Sequence, residues 1–196
     1  MDRTKPPIII LCKSKNFENT LNSVQEHFKE HSTDCGTYSY QDEGVYAGVE
    51  AFIPTLFIVS ISAIYFTSFV KEAGKDHYQV LKSGIIKLFE KSKNADYTLV
   101  GTRGKLNTNY KYSLVHSIEA ETPSGVIIKL LISNQDENAS EQVDIFISFL
   151  DRLYSKALLS NEIENLNESK IIGNRLIAIV NSDLKTVTFP DPFFRN

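Results

Sequence analysis

The chain predicts an α+β fold, a largely antiparallel or mixed sheet with about three packed helices. Three observations predict it. Short runs rich in β-branched and aromatic residues outnumber the amphipathic helical stretches. The second half is built of alternating segments joined by turns. The charge-free run 51–70 divides into a strand and the start of a helix.

Ile8 to Cys12 (IIILC) follows Pro6-Pro7 and reads as a buried strand. Asn16 is expected to cap a helix whose apolar stripe is Phe17, Leu21, Val24 and Phe28, ending near His31 before Gly36. Residues 37–41 and 45–52 flank Asp42-Glu43-Gly44 as a hairpin. A strand over 55–62 and one long helix over 64–92 follow. Further on, 97–101 is a short strand and 102–110 a polar loop.

Residues 111–121 alternate, with Tyr112, Leu114, His116, Ile118 and Ala120 expected on one face. Thr122-Pro-Ser-Gly125 turns the chain into Val126 to Ile132, completing an antiparallel hairpin. Asn138, with Glu141 three residues on, begins a helix carrying Val143, Phe146, Ile147, Leu150, Leu153 and Tyr154. Residues 160–170 read as a polar stretch. A last hairpin joins 176–180 to 186–189. The organisation is one domain over 1–196, with sub-units 6–93 (strand, helix, strands, long helix) and 96–190 (hairpin, helix, hairpin).

The run 51–70 (AFIPTLFIVSISAIYFTSFV) matters most for function. Twenty uncharged residues is the length of a membrane span, and eleven of them are Leu, Ile, Val or Phe. Pro54, Thr55, Ser60, Ser62, Thr67 and Ser68 weaken that reading. An apolar stripe through Phe66, Val70, Ala73, His77, Leu81, Gly84 and Leu88 continues past the end of the run, as a soluble amphipathic helix does.

Of 196 residues, 42% are hydrophobic and 23% charged, close to an ordinary globular protein and unlike a disordered chain. A net charge of −3 argues against a dedicated nucleic-acid binder, which needs a basic surface. The opening residues lack a signal-sequence pattern, and two cysteines, Cys12 and Cys35, cannot build a disulfide scaffold. Free thiols in the cytoplasm are the expectation.

No catalytic motif stands out. His27, His31 and Cys35 repeat every four residues, but without a Cys-x-x-Cys pair this is poor zinc spacing; no metal and no cofactor is assigned. Gly101-Thr-Arg-Gly-Lys105 lacks the glycine spacing and following hydroxyl of a phosphate loop. His77, His116 and Glu119 are the best remaining catalytic candidates, only if three dimensions bring them together. Glu119 and Glu121 share one strand face. Ser14 holds the position after the first strand where α/β proteins often place ligand loops.

The best binding candidate is the segment holding Arg103, Lys105, Tyr110, Lys111 and Tyr112, which interleaves cations with aromatic rings able to stack on a ligand or grip an anion. The function expected is a non-catalytic interaction or ligand-recognition module, for a protein partner or small anionic ligand. A membrane anchor using 51–70, or an enzyme with a site assembled only by folding, are the alternatives.

Overall fold

A computed structural model describes residues 5–41, 55–69, 74–95, 111–134, 138–167, 169–191 and 193. Seven strands, β1 (Ile8–Cys12), β2 (Cys35–Ser39), β3 (Phe57–Ile61), β4 (Tyr112–Glu121), β5 (Ile127–Ser133), β6 (Arg175–Asn181) and β7 (Thr186–Thr188), form one mixed sheet in the order 2-1-3-4-5-6-7. The helices are α1 (Glu18–Glu30), α2 (Ala63–Phe69), α3 (Gly74–Ser92), α4 (Ala139–Tyr154) and α5 (Ser160–Asn167). The fold is α+β, as expected.

Parallel and antiparallel pairs alternate across the sheet: β1 is parallel to β2 and antiparallel to β3, β3 is parallel to β4, β5 runs against β4, and β6 parallels β5. Each parallel pair needs a crossover. α1 supplies the first, α2 and α3 lie on the second, and α4 with α5 lie on the third.

The main core lies between the sheet and α1, α3 and α4. Ile8, Ile10, Val59, Ile118, Ala120, Ile128 and Leu130 point into it and are almost fully buried. Leu21, Val24 and Phe28 of α1 meet Leu81, Ile85 and Leu88 of α3 over this face. Helical spacing of three and four places each set on one side of its helix. α4 contributes Val143, Phe146, Phe149 and Leu150, all at 0% exposure. Its start is capped as the sequence predicts: Asn138 Oδ1 accepts from the Glu141 N–H at 3.1 Å, and Asn138 Nδ2 donates to Glu141 Oε2.

Within the run 51–70, β3 occupies 57–61, hydrogen-bonded on both sides, and α2 occupies 63–69. Among the described residues no helix is long and apolar enough to cross a membrane.

Several expectations need correction. The single helix over 64–92 is two helices. Tyr65 Oη donates to the His77 carbonyl at 2.8 Å. Twelve residues of straight helix would separate those positions by about 18 Å, so Tyr65 and His77 do not lie on one straight helix. Asn16 is not the cap: Ser14 Oγ accepts from the Asn16 N–H, capping a 3-10 turn at Lys15–Phe17 before α1 starts. Residues 160–170 are not simply a polar stretch, because α5 lies within them. It is tied to α4 by Arg152 Nε, 3.0 Å from Glu162 Oε2, and by a second contact from Arg152 Nη2 to Glu162 Oε1. The strands expected over 45–52 and 97–101 lie outside the described residues.

Tyr112 is also displaced. Tyr112 pairs with Ser133, whereas Ser117 pairs with Leu131, so extra residues are looped into β4 between them. Ser113 Oγ accepts from the N–H groups of Val115 and His116 and holds this bulge. Alternation restarts after it. Tyr112 therefore joins Leu131, Ile177 and Ile179 on the other face of the sheet, away from His116.

Candidate functional site

The face of the sheet opposite the helices collects the unusual chemistry. Register puts Ser60 of β3, Glu119 of β4 and Lys129 of β5 side by side across three adjacent strands. Arg175 starts β6 opposite Ile127, and its Nη1 reaches diagonally across β5 to Glu119 Oε1 at 3.0 Å. Glu119 is 9% exposed and Lys129 only 2%. Below Glu119, Ser117 Oγ lies 2.6 Å from Thr55 Oγ1, which donates to the Phe57 carbonyl; the serine hydroxyl is then the donor of that pair.

Burial pushes the Lys129 ammonium down to about 8, opposed by the attraction of Glu119 and assisted by repulsion from Arg175 and Lys13. A lysine in that range changes charge near neutral pH. When charged it holds an anion; when neutral it accepts a proton. Lys129 is a charge inside the apolar strand Ile127–Ser133 (IIKLLIS), and that interruption is the sequence signal that sequence reasoning passed over.

The opposite end of this face carries what the structure describes of the predicted binding segment. Arg103, Lys105 and Tyr110 lie outside the described residues. Lys111 is exposed, and its Nζ lies 5.8 Å from the centroid of the Tyr112 ring. Tyr112 is half-buried and packs, like Ile179, against the cluster of Leu131 and Ile177. The Lys111 carbonyl accepts from the Asn134 N–H at 3.0 Å, tying the segment to the end of β5.

The catalytic candidates do not converge in the way an acid–base pair requires. His116 and Glu119 sit on opposite faces of β4. His116 is packed inside the core, its ring stacked 4.1 Å from Phe89 and 5.8 Å from Phe57. Ser92 Oγ donates to the Leu88 carbonyl, so it accepts from His116 Nε2–H at 2.7 Å. Burial pushes His116 down to about 4, which keeps it neutral. His77 is on α3, half-buried, with its carbonyl bonded to Tyr65. Glu121 shares its face with Glu119, as expected, and accepts from the Ala63 N–H.

The histidine–cysteine pattern also separates. Cys12 and Cys35 are buried free thiols on β1 and β2. Burial, reinforced by Asp34, pushes Cys35 up to about 12, and burial raises Cys12. Neither is an activated nucleophile. Ser14 serves as a local cap. Compared with known proteins, the chain matches no family model, no curated protein and no solved structure.

Proposed function

We propose that the protein is a cytoplasmic, non-catalytic recognition module that takes an anionic group, carboxylate or phosphate, from a small ligand or an acidic protein segment. The contacts assigned are Lys111 and Tyr112, with Arg103, Lys105 and Tyr110 of the same segment. The supporting observation is the pairing of an exposed cation with an aromatic ring anchored on an apolar cluster: Lys111 Nζ lies over Tyr112, which packs on Leu131 and Ile177. An anchored ring offers a stacking surface at small entropic cost, and a rim cation steers anions toward it.

The test is an NMR titration with inorganic pyrophosphate and with a short polyglutamate peptide. Shifts should cluster at Lys111, Tyr112 and Asn134. Substituting Arg103, Lys105 and Lys111 together by Ala should weaken binding and its salt dependence while the melting temperature stays within a few degrees. Binding unchanged in the triple variant, or shifts confined to another surface, would remove the proposal.

A second reading, an enzyme, is favoured by one observation: Lys129, buried beside Glu119 and Arg175, its ammonium pushed down to about 8 by that burial. A borohydride-trapped adduct of Lys129 with a carbonyl compound, absent in Lys129→Met, would support it.

A further inference from the structure

Three ligand-type side chains meet at the C-terminal end of α1. His27 and His31 stand one helical turn apart, their ring centroids separated by 4.7 Å. Glu30 joins them: one donor atom from each of His27, Glu30 and His31 lies within 4.8 Å of the others. Bonds of about 2.0–2.2 Å to one ion bring two donors to within roughly 3.3–4.2 Å of each other, a little closer than the 4.8 Å within which these three lie, so an ion has to draw them together.

Hydrogen bonding fixes which nitrogens are available. Ser83 Oγ donates to the Val80 carbonyl at 3.1 Å, which uses its single hydrogen. It therefore accepts from His27 Nε2–H at 2.9 Å, and the lone pair of His27 is at Nδ1. His31 Nδ1 lies 2.8 Å from the His27 carbonyl, which can only accept, so His31 carries its proton there and its lone pair at Nε2. A ring held by one N–H with the other nitrogen free is the outer-shell arrangement of metal-binding histidines. The site lies where the α1 dipole presents its negative end, which favours a cation. Burial first, then His31 and then Lys87, lower the basicity of His27, and the positive charge of Lys87 opposes a bound cation.

We propose that His27, Glu30 and His31 form a surface site for a divalent late first-row transition ion of the zinc class. Two imidazoles and one carboxylate suit zinc, nickel or copper, and exclude the all-oxygen preference of calcium and magnesium. Glu30 takes the third place that the sequence pattern offered to Cys35, which is buried on β2. Three donors within one helical turn leave coordination positions open to water. The ion sits at the surface, so it adds to a fold that does not depend on it.

The test uses the full chain, stripped with a chelator and titrated with zinc chloride by calorimetry and with cobalt(II) by visible absorption. One equivalent should bind with micromolar affinity. His27→Ala and His31→Ala should each weaken binding by about 100-fold or more, and Ser83→Ala, which touches only the second nitrogen of His27, by about 10-fold. Lys87→Gln should tighten binding, and Glu26→Gln on the same helix should leave it unchanged. Zinc should shift the His27 Nδ1 and His31 Nε2 resonances in ¹⁵N spectra. Absence of saturable binding below about 100 µM zinc would overturn the proposal, as would unchanged affinity in the His27→Ala/His31→Ala double variant.

Discussion

Gly84 lies where α1 crosses α3, and its replacement by Ala sets two effects against each other. Helix propensity favours Ala over Gly by about 1 kcal/mol in a helix interior. Packing opposes the change. A Cβ at position 84 would lie 2.3 Å from Phe28 Cζ and 2.8 Å from both Phe28 Cε atoms. Phe28 is at 0% exposure among Leu21, Val24, Leu81 and Ile85, so its ring cannot swing into solvent. Relief needs a displacement of about 1 Å by the ring tip or by α1 as a whole, and overpacking of this kind costs about 1–3 kcal/mol. A contact this short belongs at the upper end. The net expectation is a loss of about 1–2 kcal/mol. With an unfolding entropy near 2.1 cal/mol/K per residue, the melting temperature should fall by about 2–5 °C. Thermal melts, with urea titrations showing an unchanged m-value, provide the measurement. Phe28→Leu should cost less in the Gly84→Ala background than in the parent, because the two changes share one contact. A rise of two degrees in Gly84→Ala, as propensity alone dictates, would refute the packing argument.

Three further outcomes are expected. Phe146→Ala, at a fully buried position of α4, should cost about 3–5 kcal/mol in denaturant titrations; a melting temperature unchanged within a degree would show that the α4 face is not packed. His116 is held neutral with its folded pKa near 4, below its unfolded value of 6.5, so the unfolded chain binds the proton first; stability is fully present above pH 6.5 and should fall as pH drops toward 4, by roughly 2–3 kcal/mol, and His116→Gln should flatten that slope in urea titrations run at a series of pH values. Glu162→Gln should cost about 2 kcal/mol and strip hydrogen-exchange protection from Ser160–Asn167 while α4 stays protected, because Glu162, 1% exposed, holds both Arg152 and the Leu159 N–H; protection retained across α5 would show that the pair is incidental.

The elements legible in the chain are those with a single buried face. Leu21, Val24 and Phe28 announce α1, and Val143, Phe146 and Leu150 announce α4, because one side of each helix meets the sheet and the other meets water. The β4–β5 hairpin is legible from its alternation and from the turn at Thr122 to Gly125. α5 was illegible for the converse reason. Leu159 and Ile163, spaced as a helical stripe, are exposed, and the element is held by the Arg152–Glu162 pair, by Asn165 Nδ2 donating to the Val187 carbonyl and by Leu166 against the core. Sheet order was illegible because the β1–β2 and β1–β3 pairings depend on which way each crossover runs, and local periodicity carries no trace of that.

The site was harder to read for a specific physical reason. Three inserted residues in β4 are enough to reverse the face of everything before them, so Tyr112 could not be assigned with His116 by counting in twos. Once the bulge is in place, Tyr112 belongs to the same surface as Glu119, Lys129 and Arg175, at the other end of β5. Tyr112 and the buried charged cluster are thus at two ends of one sheet face, while the helices cover the opposite face with an apolar core. The division assigns stability to one face and polar chemistry to the other. It also explains why no compact motif marks the chain: Glu119, Lys129 and Arg175 come from three strands and are joined only by register, with separations of ten and forty-six residues along the sequence.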